Sequence, residues 1–99
     1  MTRERLSADA AQAALAGLEG WSMEEGGGAL LKRFVFADFS AAFGFMARAA
    51  LAAEKLDHHP EWSNVYNRVE VRLTTHAARG LTMLDFELAR TMDRLAAQQ

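Results

Sequence analysis

The side chains best suited to proton chemistry near neutral pH fall in one stretch of the chain. All 3 histidines, His58, His59 and His76, lie there. Histidine titrates near neutrality without help, so it can both give and take a proton. Glu54, Asp57, Pro60, Trp62, Tyr66 and Asp85 accompany them in sequence. The chain up to His58 reads as the last turn of a helix, where exposed carbonyls favour a cation. Glu54 lies one turn earlier on the same face and Asp57 is adjacent, and both act in the same direction. His58 is therefore a candidate general acid. His59 follows outside the helix, so the two rings should diverge. His76 ends an alternating strand. It meets His58 or His59 only if that strand runs back beside the helix end.

Other chemistries find less support. A histidine near a helix end is, on composition alone, more often a cap or a surface residue. Adjacent His-His is poor ligand spacing for one metal ion, and no HxxxH or HxH pair occurs. A His₂-carboxylate site would need the distant His76. A Ser-His-Asp triad has no GxSxG elbow behind it, and Ser63 sits in no Gly-flanked turn. Trp62 and Tyr66 could stack on a flat heterocycle or fill core. Gly26-Gly27-Gly28 lacks the GxGxxG spacing of a dinucleotide loop and reads as a hairpin turn.

The elements that must position these residues are legible from periodicity. Ser7 can cap a short helix from Ala8 to about Gly17, with Ala11, Ala14, Leu15 and Leu18 on one face. Trp21 to Met23 and Ala29 to Phe36 read as strands either side of the glycines. Asp38 or Ser40 caps a long helix whose apolar stripe is Phe39, Phe43, Met46, Ala50, Ala53 and Leu56. Pro60, the only proline, stops it near Asp57 or His58. Trp62 to Tyr66 is β-prone. From Arg68 to Thr75, Val69, Val71 and Leu73 alternate with Arg68, Glu70, Arg72 and Thr74, the pattern of a strand with one wet face. Thr82 and Asp85 resemble a capping box for a last helix that repeats Leu81, Leu84, Leu88, Met92 and Leu95 on one face. Ala96 to Gln99 should fray. The order α-β-β-α-β-β-α predicts an α+β fold: a four-stranded antiparallel sheet with three helices on one face.

Length and composition bound the reading. A chain of 99 residues is one domain, residues 1–99, too short for a separate cofactor domain. It is 51% hydrophobic and 24% charged, as globular chains are. A formal charge of −2 gives no general attraction to nucleic acid or anionic lipid. Cysteine is absent, which excludes disulfides and a Cys nucleophile and suits a reducing cytoplasm. No apolar signal core or membrane-spanning run is expected. A small chain without disulfides often gains stability by association.

The segment Glu54-Lys55-Leu56-Asp57-His58-His59-Pro60-Glu61-Trp62-Ser63-Asn64-Val65-Tyr66-Asn67, continued by Thr75-His76, Gly80-Leu81-Thr82 and Asp85, resembles the signature of the pterin-4a-carbinolamine dehydratases. The stretch Asp38-Phe39 to Phe43-Gly44-Phe45-Met46 is similar to the family's central helix. The resemblance runs from about Leu6 to Ala96. It implies the α+β fold already read and a homodimer or homotetramer. It implies loss of water from a 4a-hydroxytetrahydropterin to give the quinonoid dihydropterin, with no metal or organic cofactor. That reaction restores the pterin cofactor (tetrahydrobiopterin) after aromatic amino acid hydroxylation, so a hydroxylase could share the pathway. The reaction needs one acid and one base near neutral pH. By resemblance His58 and His76 are that pair, and His59 positions substrate and holds charge. Glu54 orients a histidine; Asp57, Thr74 and Thr75 line the pterin site; Pro60 and Trp62 form an apolar wall. Asp85 reads as a helix cap. Ala77 departs from the acidic or polar residue common in the family, which puts one pterin hydrogen bond in doubt.

A second role belongs to another class. Relatives of this kind also act as dimerisation cofactors of a transcription factor or assist assembly of a carbon-fixing enzyme. Those roles use an outer surface. Retention of all 3 histidines favours catalysis over a purely interacting role.

Overall fold

The computed structural model describes residues 3–98. Ser7 caps α1 (Ala8–Leu15), its hydroxyl accepting from the Ala10 N–H. The short strand β1 (Ser22–Met23) turns through Gly26 and Gly27, both at positive φ, into β2 (Leu30–Val35). Only glycine adopts that backbone without strain. Asp38 caps the long helix α2 (Phe39–Leu56) through the Ala41 N–H. β3 (Glu61–Val65) and β4 (Arg68–Leu73) form a hairpin. A 3₁₀ turn (His76–Ala78) leads to α3 (Met83–Ala97), opened by the capping box of Thr82 and Asp85.

The strands form one antiparallel sheet in the order β1-β2-β4-β3. Val69, Val71 and Leu73 face the core beside Phe34 and Leu30, as the alternation requires. Phe45 lies against Phe34 and Phe36, with ring centroids 4.8 and 5.0 Å apart. The α+β architecture expected from the sequence is the one observed. No helix among the described residues is long and apolar enough to cross a membrane.

Three local expectations need correction. The buried face of α2 is Ala42, Phe45, Ala49 and Ala53. Phe39 and Phe43 are exposed at 50% and 58%, and Ala50 is exposed too. Two apolar stripes of similar spacing compete on this helix. The alanine-rich one faces inward, because small side chains let the helix approach its neighbours closely while Phe45 supplies the bulk. Met46 and Leu56 are only partly buried against the core. At the other end of the chain, α3 stays helical through Ala97, and Ala96 packs on the core, so the fraying expected from Ala96 onward does not begin there; Gln99 lies outside the described residues. Finally, α2 ends at Leu56, and His58 lies beyond its last turn.

The inward face of α2 makes a direct prediction. Phe45→Ala should cost about 3–5 kcal/mol in urea unfolding, as for other fully buried phenylalanines. Phe43→Ala should cost less than about 1 kcal/mol in the same measurement. The reverse ranking would restore the stripe read from periodicity alone.

Candidate active site

The end of α2 turns His58 back into the protein. Asp57 takes a left-handed backbone, φ 52° and ψ 44°. The His58 N–H then donates to the Ala53 carbonyl at 3.0 Å, and the Asp57 N–H to that of Glu54 at 3.1 Å. This is the Schellman closure, with aspartate where glycine is usual. It leaves the Asp57 side chain 85% exposed, 3.5 Å from the Arg3 guanidinium. It also buries His58.

His58 Nε2 lies 2.6 Å from Asp85 Oδ1, in a pair where both side chains are buried. The other Asp85 oxygen accepts from the Thr82 N–H at 2.9 Å and from the Thr75 hydroxyl at 2.8 Å. Thr75 Oγ1 also lies 2.9 Å from Thr82 Oγ1. One carboxylate therefore joins the end of α2, the residues after β4 and the start of α3. Asp85 is the helix cap read from the sequence, and it is also the partner of His58. The cap was legible because its two residues are close in sequence. The histidine contact spans 27 residues and left no local signal.

The other histidines are exposed and carboxylate-bound. His59 Nε2 lies 2.8 Å from Glu54 Oε1. Glu54 therefore serves His59 rather than His58, because the left-handed turn at Asp57 carries His58 away from the helical face where Glu54 would meet it. His76 Nε2 lies 2.6 Å from Glu61 Oε2. The other Glu61 oxygen accepts from Arg72 Nη1 at 2.8 Å, and Arg72 holds Glu24 through Nε and Nη2, both at 2.8 Å. Glu61 and Arg72 are register partners across β3 and β4. No role for Glu61, Arg72 or Glu24 came from reading the sequence. Arg72 looked like one more polar residue on a wet strand face.

The electrostatics follow from these contacts. The hydrogen bonds from His76 and then Arg72 hold the Glu61 carboxyl below its ordinary range. Arg72 does the same to Glu24. Glu24, and then Glu61, raise the Arg72 guanidinium in turn.

The remaining predicted site residues lie around this framework. The Thr74 hydroxyl donates to the Gly28 carbonyl at 2.6 Å, so it ties β4 to the glycine turn. Thr75 is 3% exposed and committed to Asp85. Pro60 is half-buried; Trp62 is partly buried and packs on the core. Tyr66 sits exposed in the β3–β4 turn at φ 51°. Ala77 is exposed in the 3₁₀ turn. Two open clefts flank the framework. One, of about 510 Å³, runs over the helix-free face of the sheet past Arg33, Glu61, Ser63 and Arg72. The other, of about 520 Å³, lies between Arg5, Gln12, Gly28 and Arg79. Neither is lined by a histidine. Among the described residues no group of His, Asp and Glu is arranged to hold a metal ion.

Two ties gather the histidines. Glu61, two residues after His59, holds His76. Asp85 holds His58 and Thr75, the residue before His76. The result is a corner with three imidazoles, each braced through Nε2 by a carboxylate. Such a corner can exchange protons near neutral pH.

This fold is shared with solved structures. A crystal structure of a transcriptional coactivator/pterin dehydratase from Brucella melitensis superposes with a TM-score of 0.91 at 54% identity, covering 94% of this chain and 99% of that one. A pterin dehydratase-like protein identified as a RuBisCO assembly factor in the alpha-carboxysome shares the fold at a TM-score of 0.69 and 23% identity, covering 79% of this chain and 90% of that one. In sequence, a relative from Chelativorans sp. (strain BNC1), named provisionally as a pterin-4-alpha-carbinolamine dehydratase, is 57% identical over 98 residues. That match covers 99% of this chain and all of the relative. The model of the Pterin 4 alpha carbinolamine dehydratase family matches residues 4–95, and the chain belongs to that family.

The linked charges at Arg72 make stability depend on pH. A carboxyl whose folded pKa is depressed stabilises the fold above its unfolded value, and that contribution is lost as pH falls through the folded value. Arg72→Met should therefore lower the thermal midpoint at pH 7. The gap from wild type should shrink as pH falls below the ordinary carboxylate value of 4.5. A gap independent of pH from 7 to about 3 would show that the Glu24–Arg72–Glu61 contacts carry no linked stability.

Proposed function

We propose that the chain is a hydro-lyase that removes water from a 4a-hydroxytetrahydropterin and yields the quinonoid dihydropterin. The single observation that carries this reading is the corner of three carboxylate-braced histidines in a chain of this family. The chemistry is a proton exchange. The C4a–O bond breaks as the hydroxyl takes a proton and departs as water, and a ring N–H proton is lost. One acid and one base suffice.

In this reading His58 and His76 are the acid–base pair. An ionised carboxylate can only accept, so a histidine braced through Nε2 presents Nδ1 to a substrate. His59, held by Glu54, positions the pterin and steadies charge on it. In this reading the exposed Asp57 and half-buried Pro60, chain neighbours of His58 and His59, border the pterin, and the exposed part of Trp62 supplies the apolar wall. Thr74 and Thr75 have their hydroxyls engaged, so their contribution is to hold the backbone beside His76. No cofactor or metal is required by this chemistry. The biological setting would be recovery of tetrahydrobiopterin in a cytoplasmic protein, downstream of an aromatic amino acid hydroxylase.

One observation favours a second role. Phe39, Phe43 and Leu51 leave an apolar face of α2 exposed at 50%, 58% and 73%. Contiguous exposed apolar surface marks interaction sites, so self-association as a homodimer or homotetramer, or an assembly role like that named for the carboxysome relative, fits that face.

The deciding assay generates the 4a-hydroxytetrahydropterin in situ and follows quinonoid dihydropterin by absorbance. The protein should accelerate the spontaneous reaction, and His76→Ala should lower turnover by about 100-fold or more. No acceleration by the folded protein would overturn the dehydratase reading and leave the interaction role. Turnover within a few-fold of wild type in the variant would remove His76 from the mechanism.

A further inference from the structure

We infer that Glu61 is a positioning residue for His76, and that the Arg72–Glu24 fork is what holds Glu61 in that role. The inference rests on the dehydratase reading for its catalytic consequence, but its structural content stands apart from it.

The His76 side chain is 81% exposed. An imidazole so placed has no packing to fix its rotamer, and a lone surface ion pair contributes only about 0–1 kcal/mol. Something must restrain the ring if it is to act at a defined place. The only side chain bonded to it among the described residues is Glu61, at 2.6 Å. Glu61 is itself half-exposed and would swing if unsupported.

Arg72 supplies the support. Its Nη1 takes the Glu61 oxygen that His76 does not use. Its Nε and Nη2 grip both oxygens of Glu24, beside the β1–β2 turn. Forked guanidinium–carboxylate contacts fix geometry as well as charge. The sheet register places Arg72 directly opposite Glu61, so the backbone sets the clamp's spacing. The relay Glu24–Arg72–Glu61–His76 thus anchors an exposed ring to the sheet. The hydrogen bonds that Glu61 accepts from His76 and then Arg72 hold its carboxyl below the ordinary range, so it is ionised near neutral pH. An ionised carboxylate has no proton to donate, so the hydrogen in the contact belongs to His76 Nε2. The relay thereby selects the tautomer whose Nδ1 is the basic atom.

Glu61→Gln tests this with little risk to folding, because residue 61 is exposed on an edge strand. With the glutamine oxygen kept by Arg72, the amide N–H₂ faces His76 Nε2, a donor in place of an acceptor. Neutral His76 should change from the Nε2–H to the Nδ1–H tautomer, read from the ¹⁵N shifts of its ring nitrogens. In the dehydration assay kcat should fall about 10-fold, with KM within about twofold. Glu61→Asp keeps an acceptor and should retain the wild-type tautomer. Arg72→Lys keeps the charge but loses the fork, and should give a tautomer mixture. An unchanged His76 tautomer in Glu61→Gln would overturn the inference whatever the activity. An active wild type whose kcat is untouched by Glu61→Gln would overturn the catalytic consequence. An inactive wild type would overturn the dehydratase reading alone, and the ring shifts would still decide whether Glu61 sets His76.

Discussion

The buried carboxylate of Asp85 is the constraint on which the rest of the site depends. Its two oxygens meet three groups from three parts of the chain: the imidazole of His58, the hydroxyl of Thr75 and the backbone N–H of Thr82. A buried charged group is costly without such partners. Against an apolar alternative the network adds little stability, but losing one partner is expensive. Its effect is therefore one of register. The end of α2, the segment after β4 and the start of α3 must meet in one arrangement, and that arrangement brings His58 and His76 into the same corner. The left-handed turn at Asp57 serves the same end, since a helix continued through His58 would carry the ring outward.

The three imidazoles share a brace but differ in setting. His58 is buried, and its carboxylate partner is buried with it. His59 and His76 are exposed, and theirs are exposed or half-exposed. Water screens the exposed pairs, so their value lies in orientation more than in energy. For His76 that orientation is reinforced by the sheet, through the register pair of Glu61 and Arg72. The helix-free face of the sheet is thus part of the site's support as well as a solvated surface.

Much of this was legible in the sequence. The alternation of Val69, Val71 and Leu73 gave their inward direction, and Pro60 gave the end of α2 to within a few residues. Ser7, Asp38 and Thr82 each cap the helix assigned to them. Those signals are local, because a cap or an alternation is decided within a few positions. The face of α2 was not legible. Phe39 and Phe43 compete with Ala42 and Phe45 at the same spacing, and only packing decides between them. The partners of His58 and His76 were not legible either, although Glu54, which meets His59, reads from the sequence as orienting a histidine. Asp85 and Glu61 reach them across 27 and 15 residues, distances at which periodicity carries no information.

The central claim is that the histidine corner receives a pterin. The most direct measurement is an NMR titration of the protein, its histidine rings labelled, with a stable dihydropterin. The account predicts saturable shifts of the His58, His59 and His76 ring resonances with one common binding constant, and little change along Phe39, Phe43 and Leu51. Shifts confined to that face of α2, or none at millimolar pterin, would contradict it.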